Sequence, residues 1–194
     1  MASILVVCTG NVCRSPIAEG MLRAALVLRV GDDAPEVRSA GTIGWEGAGA
    51  MPESIEAAAE RGLDIGSHVA RRLTPPLLDG ADLILAMARE HREELERVRP
   101  EVSERTFTLK ELTRLVEDLP GPSDRDLTAR VKAAAALRGS GFEGNELDED
   151  ISDPLGLPLD SYRAIAWELD AWIERLADGL YGPVPAPTRA GDRA

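Results

Sequence analysis

Apolar residues gather in short runs that alternate along the chain with stretches of helical spacing. The first run, Ser3-Ile4-Leu5-Val6-Val7, leads straight into a turn, and Leu83-Ile84-Leu85-Ala86-Met87 is another of the same kind. Runs of roughly four to eight such residues bounded by turn signals read as buried strands. Strands are predicted at 4–7, 37–40, 83–87 and 105–108, and helices at 16–28, 53–61, 90–98, 110–117 and 159–180. Alternating strand and helix is the pattern of a doubly wound α/β fold, a parallel sheet with helices on both faces. In the last helix Leu169, Trp172, Ile173, Leu176 and Leu180 recur at helical spacing, which predicts one face on the core, with both Trp167 and Trp172 packed there.

Two stretches fall outside this rhythm. Residues 120–146 hold a further predicted helix at 124–137 with an alanine run, then Gly139-Ser140-Gly141 and Gly144-Asn145. They read either as a surface insertion or as a lid swinging on glycine hinges. From Gly182 onward the chain turns to Pro, Ala and Gly without apolar periodicity. The reading is one domain over 1–181 and a disordered tail over 182–194.

Composition narrows the function classes. At 194 residues and 44% hydrophobic, the chain can build one sizeable core. No apolar stretch approaches the ~18 residues of a membrane span, and no cleavable leader is evident, so a cytoplasmic protein is expected. The excess of 34 acidic over 22 basic residues, a net charge of −12, argues against nucleic acid as a partner. Cys8 and Cys13 lie inside one loop with His68 and His91 far away in sequence, a spacing that suggests no metal site.

The chemistry is concentrated where the first strand ends. Cys8-Thr9-Gly10-Asn11-Val12-Cys13-Arg14-Ser15-Pro16 joins the strand to a helix. A tight turn closing on a helix start points several backbone N–H groups and the positive helix end at one spot, which suits a phosphate dianion. Asn11 tolerates the left-handed backbone such a turn demands. Arg14 carries the planar fork that grips two phosphate oxygens at once. Cys8 then lies beneath the phosphorus, where a helix start and a guanidinium lower a thiol from ~8.5 to roughly 3.5–7.5 and leave a nucleophilic thiolate. Ser15 is placed to donate to that thiolate and ease its later departure.

These residues resemble the signature of the low-molecular-weight protein tyrosine phosphatases, Cys-x5-Arg-Ser/Thr-Pro after the first strand. A second element of that family is Asp153-Pro154, ahead of the last helix. The resemblance implies a flavodoxin-like fold with a four-stranded parallel sheet, a phosphocysteine intermediate at Cys8, no cofactor, and Asp153 as general acid and then base. It implies that Ser39 and His68 support the loop through Asn11, and that Cys13 captures oxidised Cys8 as a disulfide; from the residues alone, Cys13 reads as a small apolar side chain buried at the helix start. A phosphorylated protein substrate, inorganic phosphate as product and inhibitor, and a monomer are expected. Asp148 and Glu149 read as parts of a solvated acidic loop.

Departures from the family pattern bear on specificity. The strand at 83–87 runs into Ala88 where tyrosine phosphatases carry an aspartate, and Leu155-Gly156 replaces their two tyrosines. Trp45 remains as an aromatic wall. Cys-Thr-Gly-Asn, Ala88, Phe107-Thr108-Leu109-Lys110-Glu111 and Asp-Pro-Leu-Gly also resemble protein arginine phosphatases, which place threonine at Val12. Val12 has that shape without the hydroxyl that contacts a guanidinium, so Val12, Trp45 and Leu155 are read as specificity residues favouring phosphotyrosine. Phosphoarginine is the alternative. A thiol-redox module of the arsenate reductase kind, which needs two further cysteines, or a non-catalytic phosphate binder, is more distant.

Overall fold

The four predicted strands form one parallel sheet in the computed structural model, which describes residues 1–122, 125–141 and 148–186. They are β1 (Ser3–Cys8), β2 (Glu36–Gly41), β3 (Leu83–Ala86) and β4 (Thr106–Thr108), in the order β2-β1-β3-β4. Period-2 alternation sends Leu5, Val7 and Ile84 into one hydrophobic layer and Ile4, Val6, Cys8, Leu83 and Leu85 into the other. Both faces are therefore dry, as parallel sheets require.

The larger layer is closed by α1 (Arg14–Val30), α2 (Pro52–Ala59), α5 (Leu109–Asp118) and α7 (Leu159–Tyr181). The smaller lies under α3 (Pro75–Asp79), a short helix the sequence pattern does not reveal, and α4 (Arg89–Val98). α1 begins two residues before the predicted start because Pro16, a first-turn residue whose missing N–H costs nothing there, sits third in the helix. α5 starts on a reciprocal capping box between Thr108 and Glu111.

α6 (Leu127–Gly139) occupies the described part of the 120–146 segment and begins later than predicted, with Asp126 capping it through the Ala129 N–H. It is built into the core through Leu127, Val131 and Ala134. Arg130 ties it to the carbonyls of Val116 and Gly179, and Arg138 stacks on Phe107 while donating to the carbonyls of Thr106 and Ser103. Gly144-Asn145 and the tail at 187–194 lie outside the described residues.

The tryptophans of α7 part company. Trp172 lies against the core under Arg114, Arg175 and Lys110, whereas Trp167 is 67% exposed, contrary to the expectation that both pack inward. The buried stripe passes through Ile165, Ala166, Leu169 and Ile173, and Trp167 falls outside it. Among the described residues no helix is long and apolar enough to cross a membrane.

Strand order reverses between β1 and β3, and ligands of such sheets bind beyond the carboxyl ends of the strands at that point. Cys8 ends β1 there.

Candidate active site

The turn from Cys8 to Arg14 is held from outside by its carbonyls. Thr42 N–H donates to Cys8 O, Ile43 and Gly44 N–H to Thr9 O, Trp45 N–H to Gly10 O and Met51 N–H to Val12 O, at 2.9–3.1 Å. His68 Nε2 lies 2.8 Å from Asn11 O and completes the ring of donors. In a planar trans peptide the following N–H points opposite the carbonyl, so turning these five oxygens outward turns the N–H groups of residues 9–13 inward. The chain's net charge of −12 is thus offset locally by a nest of aligned backbone dipoles at the start of α1.

Two residues make this close wrapping feasible. Asn11 takes φ +58°, the left-handed conformation its short amide side chain tolerates. A Cβ on Gly41 would stand 2.5 Å from Thr9 O and 2.9 Å from Asn11 N, so only glycine lets β2 pass beneath the loop.

Asn11 is also the hub of a buried polar chain. Its Nδ2 donates to Ser15 Oγ (2.9 Å) and Ser39 Oγ (2.8 Å), and its Oδ1 accepts from the Arg71 N–H (2.9 Å). Ser39 Oγ donates in turn to Glu19 Oε2 at 2.6 Å, a partner the sequence pattern gives no sign of. Ser15 Oγ lies 2.9 Å from Cys8 Sγ. Loop, β2 and α1 are locked together beneath the sulfur.

Arg14 is buried, with Nη1 donating to Ile151 O (3.0 Å) and Nη2 to Asp153 Oδ2 (2.6 Å) and, at 3.4 Å, to Thr9 Oγ1. Its Nε is buried without a protein partner among the described residues. With Nη1 committed to the backbone, Nε and Nη2 form the edge the guanidinium offers to a ligand.

Asp153 comes from the loop before α7, where Asp148 is exposed as expected but Glu149 is not. Glu149 is 3% exposed; it lies near Arg92 and accepts from Thr108 Oγ1, while its own burial and the neighbouring Glu111 carboxylate push its pKa up. The buried ammonium of Lys110 reaches Asp148 Oδ2 (3.0 Å), Asp150 O (2.9 Å) and Glu168 Oε1 (2.7 Å). Ile151 N–H donates to Met87 O (2.8 Å). Asp150 Oδ1 accepts from the Arg89 N–H at 2.8 Å, at the start of α4. Ala88 sits at the N-cap of α4, where an aspartate would have served; Asp150 supplies a carboxylate to that helix end from across the sheet.

A pocket above the loop is lined by Cys8, Thr9, Gly10, Val12, Cys13, Arg14, Trp45, Asp153 and Leu155. The residues singled out for catalysis and for specificity are therefore brought together. Trp45 is half exposed and leans over Gly10. Ser39 and His68 stand behind the loop and outside the pocket. Cys13 is buried with its thiol 3.8 Å from Tyr162 Oη, and burial pushes its pKa up to about 11.

The family model for low molecular weight phosphotyrosine protein phosphatases matches residues 3–135. This chain belongs to that family. The phosphatase is 33% identical to a protein-arginine-phosphatase of Geobacillus stearothermophilus over 91% of this chain and 95% of the relative. It is 36% identical to a probable low molecular weight protein-tyrosine-phosphatase, EpsP, of Ralstonia solanacearum, over 70% of this chain and 88% of that one. Among solved structures, a low molecular weight protein tyrosine phosphatase from T. tengcongensis superposes with a TM-score of 0.70 at 35% identity, covering 92% of this chain and 99% of that one.

Sequence reasoning passed over His91 except as an unsuitable metal ligand. It is 2% exposed at the start of α4, with Nε2 lying 2.9 Å from Thr9 Oγ1. Burial and the Arg14 cation lower its pKa from 6.5 to about 4. The folded state then binds fewer protons than the unfolded chain between these values. Its contribution to stability is complete above pH 6.5 and is lost as pH falls to about 4. The loss amounts to about 3 kcal/mol. Urea unfolding midpoints measured between pH 7 and 4 are expected to fall less steeply in His91→Gln than in the wild type.

Proposed function

We propose that this phosphatase hydrolyses phosphotyrosine on protein substrates through a phosphocysteine intermediate at Cys8. The observation that carries the reading is the convergence of Cys8, Arg14 and Asp153 on one pocket with the apolar walls Val12, Trp45 and Leu155. The loop N–H groups and the Nε/Nη2 edge of Arg14 hold the phosphoryl oxygens, taking the guanidinium from its ion pair with Asp153. Cys8 Sγ attacks phosphorus, the bond to the phenolic oxygen breaks, and the Asp153 carboxyl gives that oxygen its proton. Asp153, now a carboxylate, takes a proton from water; the water oxygen attacks phosphorus and the P–S bond breaks. Inorganic phosphate leaves and the thiolate returns to its hydrogen bond with Ser15 Oγ. The two free cysteines, one of them the nucleophile, suit a reducing compartment, and we place the enzyme in the cytoplasm.

Phosphoarginine is the second reading, favoured by the arginine phosphatase relative that aligns over nearly the whole chain. A guanidinium needs acceptors where Val12 offers only methyl groups, which costs about 1–3 kcal/mol. Initial rates on matched phosphotyrosine and phosphoarginine peptides are expected to favour tyrosine roughly 5- to 150-fold in kcat/KM. A preference for the arginine peptide replaces the first reading with the second.

A further inference from the structure

We propose that His91 is a positioning residue that aims the Thr9 hydroxyl proton into the pocket, making Thr9 Oγ a side-chain donor to the phosphoryl group beside the loop N–H groups. The inference rests on the phosphatase reading of the site and adds two residues to it.

Thr9 Oγ1 faces two groups, Arg14 Nη2 at 3.4 Å and His91 Nε2 at 2.9 Å. A guanidinium only donates, so the hydroxyl accepts from Arg14. The imidazole can stand toward Thr9 as donor or acceptor, and the rest of the ring decides which. His91 Nδ1 is buried with no partner among the described residues. If Nδ1 carried the ring proton, a buried N–H would be left without an acceptor; if Nε2 carries it, only a lone pair goes unused, which costs less. A proton on Nε2 also faces the Glu90 carboxylate at 3.6 Å. The ring is held neutral by its burial and by Arg14, with Asp153 and Asp150 too weak to reverse this, so one nitrogen carries a proton and the other does not.

Nε2–H therefore donates to Thr9 Oγ1. The oxygen then accepts from both Arg14 and His91, and its own proton is directed away from them. Thr9 lines the pocket together with Cys8 and Arg14, so that proton is offered to a phosphoryl oxygen. The other loop donors are backbone N–H groups fixed by chain geometry. This one is a rotor and needs His91 to set it.

The test is a double-mutant cycle on kcat/KM for the phosphotyrosine peptide, with the inhibition constant of inorganic phosphate as a second readout. Thr9→Val removes the hydroxyl at constant shape and is expected to lower kcat/KM roughly 10- to 100-fold and to weaken phosphate inhibition, whereas Thr9→Ser keeps most of the activity. His91→Leu is expected to cost about 3- to 10-fold in the wild-type background and nothing further in Thr9→Val. A glutamine amide nitrogen reaches the Nε2 position and an asparagine one only the Nδ1 position, so His91→Gln is expected to retain activity and His91→Asn to lose it. Equal losses from His91→Leu in both backgrounds mean a purely structural role and overturn the proposal. Should His91→Leu fail to fold, the Thr9 pair and the Gln/Asn pair decide: unchanged kcat/KM in Thr9→Val, or equal activity in His91→Gln and His91→Asn, overturns it. A wild-type protein that hydrolyses neither peptide removes the phosphatase reading as well, which separates that failure from failure of the His91 assignment alone.

Discussion

The Cys8→Ser protein is expected to hydrolyse neither peptide, its kcat falling by roughly 10⁴-fold or more to background. A serine hydroxyl keeps its proton at neutral pH and attacks phosphorus slowly, and a phosphoserine that did form would not turn over, because an alkoxide leaves phosphorus far less readily than a thiolate. The substitution spares the rest of the site. The loop is held by backbone donors to its carbonyls, and Ser15 Oγ, 2.9 Å from the sulfur, can equally meet a hydroxyl. Binding of inorganic phosphate measured by calorimetry is therefore expected to survive while turnover is lost. Normal turnover in this protein would sink the mechanism, and loss of phosphate binding together with turnover would mean that the substitution had disturbed the cradle.

What the sequence made legible follows the range of the interactions involved. The cradle is local: nine consecutive residues carry the nucleophile, the left-handed Asn11, the guanidinium and the helix start, so their order alone implies their geometry. The sheet was legible for the same reason, since each buried strand is a short contiguous run, and boundaries moved by only a residue or two. Polar contacts between distant segments were not. Glu149 looks like part of a charge run until Arg92 and Lys110, some forty to sixty residues earlier, are brought against that loop by β3 and β4. The fate of Ala88 was hidden likewise, because the carboxylate that serves the start of α4 comes from Asp150. His91 carries no local signal beyond its place just past the end of β3. Trp167 shows the limit in the other direction, since helical spacing locates a buried face but leaves the residues at its margin undecided.

Asp153→Asn is expected to lower kcat on the phosphotyrosine peptide by roughly 10²- to 10⁴-fold, the usual worth of a positioned general acid. The amide keeps the shape of the carboxyl, and its one oxygen can still accept from either the Leu155 N–H or Arg14, which Asp153 meets with separate oxygens, while the guanidinium stays held by Ile151 O and the loop by the Ile151 N–H on Met87 O. What it cannot do is protonate a leaving oxygen. The defect should therefore track the leaving group: large for phosphotyrosine, whose phenolate is basic, and small for an aryl phosphate with an acidic phenol, which departs without help. Once the first step no longer needs the proton, the missing base for water becomes the bottleneck, and phosphocysteine should accumulate as a burst in rapid-mixing experiments. A loss of equal size across leaving groups would place Asp153 in substrate binding or in holding Arg14, and would take the proton transfer away from it. The anchoring of its loop makes the graded outcome the expected one. Lys110, the Arg89 N–H and Met87 O fix residues 148–151, and Arg14 itself holds Ile151 O, so the carboxyl is delivered to the pocket by the same side chain that binds the phosphoryl group.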